Sequence, residues 1–383
     1  MTTEPASIFM LAGEASGDRI GGALIRQLKR HIPLRLSGVG GPDMMAGGLT
    51  PLFPMSDLSV MGYADVLKRL PKLYWRMFEA ARAVRAINPD LVVLVDSQVF
   101  SATLARRLRK QGYRGTILLY VAPAVWAWKP ERAPRLKPLF DEILAVLPFE
   151  PGAMERLGGP TTSYVGHPAV AHFPYRETLP ERGPLLLLPG SRNGEISRTL
   201  EMMRECALAL NGHPKVTGFV LPTPAPHRQR MIEAVADWAA PVEVVSDEAA
   251  KLRAFADAVA AIAVSGTVTL ELALAGVPMV ATYVADAGQA KRFLRYKVKY
   301  VTLPNIVLDR ALIPELLFTE PDAARLLGAA RDLLDGPGAA AAQLAGFAEI
   351  RSLITKGAPE APLFDPAERV LSMLSRAATR RGG

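Results

Sequence analysis

The sequence predicts an α/β protein of two domains, each a parallel sheet with helices on both faces. Three observations lead there. Short β-rich runs alternate with helical stretches along the chain, the pattern of parallel strands joined by crossover helices. The alternation starts a second time after Gly166-His167-Pro168. A length of 383 residues exceeds one ordinary core and suits two domains of roughly 150 to 200 residues.

In the first half, strands are expected at residues 8–12, 34–38, 91–95, 116–121 and 142–146, each followed by a loop rich in glycine, proline or polar residues. The second series runs 185–188, 216–221, 242–245, 258–264 and 279–283. Residues 1–170 then form an N-terminal domain and 184–335 a C-terminal one. A polar, proline-bearing linker up to Pro184 separates them, with the cleft beneath it. After Asp322 the chain reads as helical, and the helices of 336–383 are expected to pack across the domains or onto a second subunit of a homodimer. The absence of a short-period repeat argues against a solenoid.

Half the residues are hydrophobic and 21% are charged, the balance of a globular chain. The longest apolar stretches, such as 91–95 and 258–264, fall short of the roughly 18 residues that a membrane-spanning helix needs. The apolar run at 8–12 has no basic residue before it and Glu14 just after, unlike a secretory leader, so a cytoplasmic location is expected. Cys206 is the sole cysteine, which excludes an internal disulfide and a multi-cysteine metal site. His31, His167, His172, His213 and His227 lack zinc-type spacing, so neither metal nor cofactor is expected. A formal charge of +8 points to a negatively charged partner: nucleic acid, anionic lipid or a phosphorylated substrate. Nucleic acid is the weakest of the three, because the basic residues are scattered and no nucleic-acid motif accompanies them.

The first strand runs into Gly13-Glu14-Ala15-Ser16-Gly17-Asp18. This is not a dinucleotide fingerprint, since the glycine spacing differs and no ribose-binding acid closes the next strand, which ends in Gly38. The glycines make a tight strand-to-helix turn, Asp18 caps the helix in the plainer reading, and Ser16 and Gly17 are candidate substrate-binding residues. Glu14, at the carboxyl end of a strand, projects into the crevice where open α/β sheets bind ligands. The amides of Gly38-Val39-Gly40-Gly41-Pro42 approach a sugar or phosphate, or belong to a plain flexible loop. Asp96 ends the most hydrophobic strand of the first domain. It either caps a helix from Ser101 or acts as a general base on an attacking hydroxyl.

The second domain offers two phosphate-type turns. Pro189-Gly190-Ser191-Arg192 follows a strand of four leucines and precedes a helix at Gly194 or Glu195, which brings backbone amides, a hydroxyl and a guanidinium together. Ser265-Gly266-Thr267 likewise opens a helix, and Glu271 one turn in can accept from ribose hydroxyls. Ordinary N-capping is the competing explanation for each turn alone. No Asp-x-Asp pair is present to hold a metal on a diphosphate, so leaving-group charge falls to Arg192 and helix dipoles.

Between Tyr63 and Ala86, Val66, Leu67, Leu70, Leu73, Tyr74, Met77, Phe78 and Ala81 recur at helical spacing, interrupted at Pro71, and read as a core-facing stripe. Trp75 falls off that stripe among Lys68, Arg69, Lys72 and Arg76, which suits either an interfacial helix at a membrane or a solvated basic face.

Many separate segments in one order carry a family resemblance. They are AGEASGD at 12–18, Gly40-Gly41-Pro42, Val60-Met61-Gly62, VAPAVWAW at 121–128, LPFE at 147–150, VGHP at 165–168, LPGSR at 188–192, SGTVTLE at 265–271, Pro278-Met279-Val280, Leu303-Pro304-Asn305 and PELL at 314–317. With them the chain resembles the lipid-A-disaccharide synthase family along nearly its whole length. The resemblance implies a GT-B fold, two Rossmann-like domains facing a cleft. It implies inverting, metal-free transfer from UDP-2,3-diacylglucosamine to 2,3-diacylglucosamine 1-phosphate, peripherally on the cytoplasmic face of the inner membrane. By position it makes Asp96 the base, Arg192 the diphosphate ligand, and Ser191, Ser265, Thr267, Glu271 and Asn305 the lining of the UDP site, with Glu14 on the acceptor side. The stretch around Lys68 to Phe78 matches the part of the family thought to touch the membrane. One segment departs: where the family usually reads Asp-x-Pro-[Asp/Glu]-Phe, this chain has Asp96-Ser97-Gln98-Val99-Phe100. The departure bears on the acceptor more than on UDP. A diverged transferase with another glycolipid acceptor, and a non-catalytic UDP-sugar or anionic-lipid binding protein, stand as alternatives.

Overall fold

The computed structural model describes residues 4–58, 63–296 and 298–382. The chain divides into two compact units, 1–168 with 356–383, and 169–355.

The first unit is built on seven parallel strands: β1 (Ala6–Ala12), β2 (Leu34–Val39), β3 (Thr50–Pro51), β4 (Leu91–Val95), β5 (Thr116–Tyr120), β6 (Glu142–Ala145) and β7 (Thr162–Tyr164), in the order β3-β2-β1-β4-β5-β6-β7. Every residue of β4 and β5 is buried, because helices cover both faces of the sheet; hence these strands are continuous apolar runs without alternation. On one face Phe9, Leu11, Val92, Leu94 and Leu119 pack with Met77, Ala80 and Val84 of the helix Tyr63–Ile87 and with Leu104 and Leu108 of the helix Gln98–Lys110. The helices Ala15–Leu28 and Pro366–Gly382 pack on each other and on the strands β1 and β4.

The second unit repeats the plan with β8 (Gly183–Leu188), β9 (Val216–Pro222), β10 (Val242–Val245), β11 (Ala260–Val264), β12 (Met279–Val284) and β13 (Glu315–Phe318), in the order β10-β9-β8-β11-β12-β13. Leu185, Leu187, Phe219, Ile262 and Val280 pack with Ile196, Met203, Cys206 and Leu210 of the helix Asn193–Leu210 and with Leu326, Ala330 and Leu333 of the helix Ala323–Asp335. Counted from its own first strand, each unit has the order 3-2-1-4-5-6 that defines a Rossmann-like sheet, with a seventh strand added beyond the sixth in the first unit, and in each the order reverses between the first and fourth strands.

The expected strands are all present, with ends shifted by a residue or two; the run expected from 258 begins at Ala260. The short strands β3, β7 and β13 are additional. The stretch after Pro168 that reads as a linker is fastened into the second unit from Phe173 onward. Phe173 is buried and stacks on Phe255, the Tyr175 hydroxyl donates to the Leu344 carbonyl (2.9 Å), and Arg176 donates to the carbonyls of Gly276 (2.9 Å) and Ala258 (2.6 Å).

The helices after Asp322 divide between the units. In the helix Ala339–Lys356, Gln343 pairs with both the N–H and the carbonyl of Met279 at the start of β12 (2.8 and 3.0 Å). A small hairpin, Gly357–Ala358 with Ala361–Pro362, then leads to the helix Pro366–Gly382 in the first unit. There Arg369 makes a forked ion pair with Glu142 of β6 (2.6 Å), a carboxylate 3% exposed that also accepts from the Ser163 hydroxyl (2.6 Å). Removing the guanidinium leaves that carboxylate buried without its cation. Arg369→Ala is therefore expected to lower the stability of the first unit by about 3 kcal/mol, measured as a shift of its denaturant transition.

Candidate active site

In an open α/β sheet, ligands bind beyond the carboxyl ends of the strands where the strand order reverses. In the first unit that point lies between β1 and β4, which pair in parallel with Ala12 opposite Val95. Glu14 and Asp96 therefore leave neighbouring strands at the same sheet edge. A Cβ at Gly13 would collide with the Ser97 hydroxyl, so any larger residue there would require the Ser97 side chain to turn away.

Asp96 and Ser97 both have left-handed backbones (φ 53° and 42°), a conformation that costs non-glycine residues of order 1 kcal/mol or more. Neighbours hold it: the Asp96 N–H donates to the Tyr120 carbonyl (2.8 Å) and the Ser101 hydroxyl to the Asp96 carbonyl (2.8 Å). The helix expected from Ser101 begins at Gln98, and its N-cap Ser97 makes no side-chain cap. Gln98 thus fills the first helical position, the slot that suits the family's proline.

The Asp96 carboxyl is held above its ordinary range by burial, against hydrogen bonds from the Ser97 N–H and the Ser16 hydroxyl that pull it down. Glu14 is raised too, by burial first and then by the charge of Asp96. Two nearby carboxyls that both resist ionisation make a proton-accepting site. Ser16 acts here on Asp96, while Gly17 is buried against Ala12 and Val95, where it brings its helix onto the sheet. Asp18 caps a different helix from its own. Its carboxylate accepts from the N–H groups of Gly41 (2.8 Å), Asp43 (3.0 Å) and Met44 (3.0 Å), so these amides of the glycine loop are spoken for. Beyond β5, Trp126 donates to Glu150 (3.4 Å), whose buried carboxyl also accepts from the N–H groups of Leu147 and Val146 and is pushed up to about 7 by burial.

The second unit repeats the geometry between β8 and β11, where Leu188 lies opposite Ala263. Gly190 is left-handed (φ 101°), and a Cβ there would come within 2.8 Å of the Glu195 carboxylate. Glu195 is the residue that sequence reasoning missed at this turn, although its position three after Arg192 is the spacing of a capping box. It accepts from the N–H groups of Ser191 (3.3 Å) and Arg192 (3.2 Å) and from the Arg192 guanidinium (3.0 Å). His227 donates to the Ser191 carbonyl (2.8 Å), and Arg230 to the Asn193 side chain (2.5 Å), so the Arg230 guanidinium joins that of Arg192 at the mouth of the turn. The Arg192 side chain is 79% exposed.

At the end of β11, Gly266 and Thr267 are exposed, and a Cβ at Gly266 would meet open space. Ser265 is half-buried, its hydroxyl donated to the Val301 carbonyl (2.7 Å). Glu271 pairs with Lys251 (2.7 Å). Asn305 stands apart from the other sequence candidates. It is 1% exposed, and its amide is committed on both sides, donating to Ile313 and Glu315 and accepting from Leu312 and Ile313. Among the described residues, no three His, Cys, Asp or Glu side chains converge as a metal site.

The helix Tyr63–Ile87 carries the surface features read from the sequence, in a different arrangement. Val60-Met61-Gly62 and the side chains of Val66, Leu67 and Lys68 lie outside the described residues. Of the expected core stripe, Met77 and Ala81 are buried, whereas Leu70, Tyr74 and Phe78 are exposed beside Trp75, which is 69% exposed. The core needs a narrower strip than the sequence supplies. Arg107 lies over the Phe78 ring, 3.5 Å from its centroid. Lys72 and Arg76 both pair with Asp57, and Arg76 also with Glu79 (2.6 Å), so much of the basic charge here is balanced internally. Arg69 is exposed at the start of this surface. No helix among the described residues is long and apolar enough to cross a membrane.

Solved structures share this plan. S. aureus MnaA with UDP superposes with a TM-score of 0.63 over 98% of this chain and 97% of that one, at 11% identity. The UDP-GlcNAc 2-epimerase of Neisseria meningitidis bound to UDP-GlcNAc gives 0.62 over 97% and 99%, at 10% identity. Glycyrrhiza uralensis UGT73P12 gives 0.61 over 98% and 97%, at 11% identity. A likeness this remote in sequence is one of fold, and it places the protein in the GT-B class of paired Rossmann-like units.

Sequence narrows the class. The pattern of the lipid-A-disaccharide synthetase family matches residues 8–358. Lipid-A-disaccharide synthases of Rhodopseudomonas palustris and Rhodospirillum centenum are each 39% identical to this chain, over 97% of it and 97% and 96% of theirs. The one of Bradyrhizobium diazoefficiens is 37% identical over 96% and 97%. The chain belongs to the lipid-A-disaccharide synthase family of glycosyltransferases.

Because the Ser16 hydroxyl stabilises the charged form of Asp96, its removal favours the protonated form. In Ser16→Ala the Asp96 carboxyl is expected to titrate at higher pH than in the wild type, followed by carbon-detected NMR of the side-chain carboxyls.

Proposed function

We propose that this chain transfers 2,3-diacylglucosamine from UDP-2,3-diacylglucosamine to 2,3-diacylglucosamine 1-phosphate, releasing lipid A disaccharide 1-phosphate and UDP, with inversion and without a metal ion. The observation that carries this reading is the pairing of unlike sites at the two switch points. One bears carboxyls held above their ordinary range, Asp96 and Glu14, and the other bears turns that suit a nucleoside diphosphate.

In this mechanism the Asp96 carboxylate accepts the proton of an acceptor hydroxyl as its oxygen bonds to the anomeric carbon of the donor. The bond from that carbon to the UDP oxygen breaks, and its electron pair leaves with UDP. Arg192 and the amides at the start of the helix Asn193–Leu210 neutralise the charge that develops there. The diphosphate competes with Glu195 for the Ser191 and Arg192 amides, so Glu195 turns aside as the donor binds. Thr267 with Gly266 supplies a second set of helix-start amides, and Glu271 accepts from the nucleoside. Ser16 and Gly17 serve the site from behind, through Asp96 and the sheet.

The lipid substrates bring the protein to the cytoplasmic surface of the inner membrane. Leu70, Tyr74, Trp75 and Phe78 supply the apolar contact, flanked by Arg69, Lys72 and Arg76.

The purified protein, given both lipid precursors, is expected to release UDP at an undiminished rate in the presence of a chelator. Asp96→Ala lowers kcat by about 10²- to 10⁴-fold, the range for loss of a general base. Arg192→Ala lowers it by about 10²- to 10³-fold, as for loss of a charge-stabilising donor. Wild-type turnover in both variants would falsify these assignments. Trp75→Ala is expected to keep its UDP affinity while losing retention on phosphatidylglycerol-containing vesicles, read by co-sedimentation.

A further inference from the structure

The Ser265 hydroxyl has one proton, and that proton is given to the Val301 carbonyl (2.7 Å). Only its lone pairs remain to face outward. A hydroxyl in this state accepts hydrogen bonds and cannot donate to a phosphate oxygen. The neighbouring exposed residues, Gly266 and Thr267, are different, because their N–H groups stand at a helix start where donors are in excess.

The direction of the Ser265 hydroxyl thus depends on where the Val301 carbonyl is held, and Glu315 of β13 holds it. One oxygen of the Glu315 carboxylate accepts from the Val301 N–H (3.0 Å). The other accepts from the Thr302 N–H (2.9 Å), the Thr302 hydroxyl (2.6 Å) and the Asn305 amide (2.8 Å). Thr302 and Asn305 are buried. Asn305 closes the knot by accepting from the N–H groups of Leu312 and Ile313 (2.9 Å each). A carboxylate is the only side chain that can accept all four donors at once, since it presents no hydrogen of its own.

We infer that Glu315 is a positioning residue of the donor site: by fixing Val301 it makes Ser265 an obligatory hydrogen-bond acceptor, which selects a ribose hydroxyl of the nucleotide rather than a phosphate oxygen. This rests on the reading of Ser265 as part of the donor site. Glu271, on the helix that Ser265-Gly266-Thr267 opens, is a second acceptor suited to the same sugar.

Glu315→Gln tests the idea at one atom. The Thr302 N–H shares a peptide plane with the Val301 carbonyl, so both carboxylate oxygens anchor that carbonyl, and whichever way the side-chain amide of this variant turns, its nitrogen faces an N–H of Val301 or of Thr302, donor against donor. The measurement is calorimetric binding of UDP, 2′-deoxy-UDP and 3′-deoxy-UDP to the full-length protein, in wild type, Ser265→Ala, Glu315→Gln and the double variant, each checked for folding by thermal unfolding. One hydrogen bond to the ribose is expected to be worth about tenfold in affinity. Wild type should therefore prefer UDP to one deoxy analogue by about that factor, Ser265→Ala should lose the preference, and Glu315→Gln should weaken UDP binding in the wild type yet change it less than about twofold in Ser265→Ala. If Ser265→Ala binds UDP as well as wild type does, the placement of Ser265 in the donor site fails. If Ser265→Ala weakens all three ligands equally, that placement stands and the ribose assignment falls. If Glu315→Gln has the same effect in both backgrounds, Glu315 is merely structural. Should Glu315→Gln not fold, Thr302→Val, which loosens the same carboxylate, must show the same non-additivity with Ser265→Ala for the inference to hold.

Discussion

Where the strand order of a parallel sheet reverses, the loops on either side leave the same edge and diverge, opening a gap that no crossover helix fills. Both units of this protein depend on that constraint. Parallel pairing of β1 with β4 sets Glu14 beside Asp96, and pairing of β8 with β11 sets the Arg192 turn beside the Ser265 turn. Buried strands deliver these residues to the edge with little freedom, so the chemistry is positioned by the most rigid part of each unit. The strained backbone at Asp96 and Ser97 fits this picture, since left-handed residues persist only where the surroundings over-determine them.

Carboxylates that satisfy backbone amides are the second organising theme. Asp18 takes the amides of the glycine loop, Glu195 those of the Arg192 turn, Glu150 those following β6, and Glu315 those before the helix Leu303–Leu308. A loop at a sheet edge has N–H groups with no strand to pair with, and an anion placed between 3 and 26 residues away answers that need. The same loops are suited to anionic ligands for the same reason. In the Arg192 turn the internal anion and the proposed diphosphate compete for the same donors.

Much of this was legible in the sequence, and the limits have physical causes. Central strands such as β4 could be read because burial on both faces forces a continuous apolar run. The strands β3 and β7 could not, being two and three residues long and largely without apolar side chains. Asp18 looked like the cap of its own helix because sequence reveals near neighbours, whereas its partners lie more than twenty residues on. Asn305 could be found but not oriented: an amide that closes its own loop and an amide that meets a ligand look alike in sequence. The stripe at 63–86 overstated the core, since periodicity marks an apolar face without saying how much of it another element covers. At the Asp-x-Pro departure the loss of proline leaves the helix start in place, because Gln98 still begins the helix and Ser16, Ser97 and Ser101 hold Asp96.

The return of the chain to the first unit, sealed by Arg369 on Glu142, sets an order of events at the ribosome. The strands β1 to β7 emerge first, yet the helix Pro366–Gly382, which packs on β4 and on the helix Ala15–Leu28, follows the whole second unit. At ordinary elongation rates that interval is roughly ten to forty seconds. Throughout it the nascent sheet lacks the helix Pro366–Gly382, and Glu142 lacks its cation. The unit that begins first is therefore finished last, and chaperones have their longest opportunity to act on the half that carries Asp96.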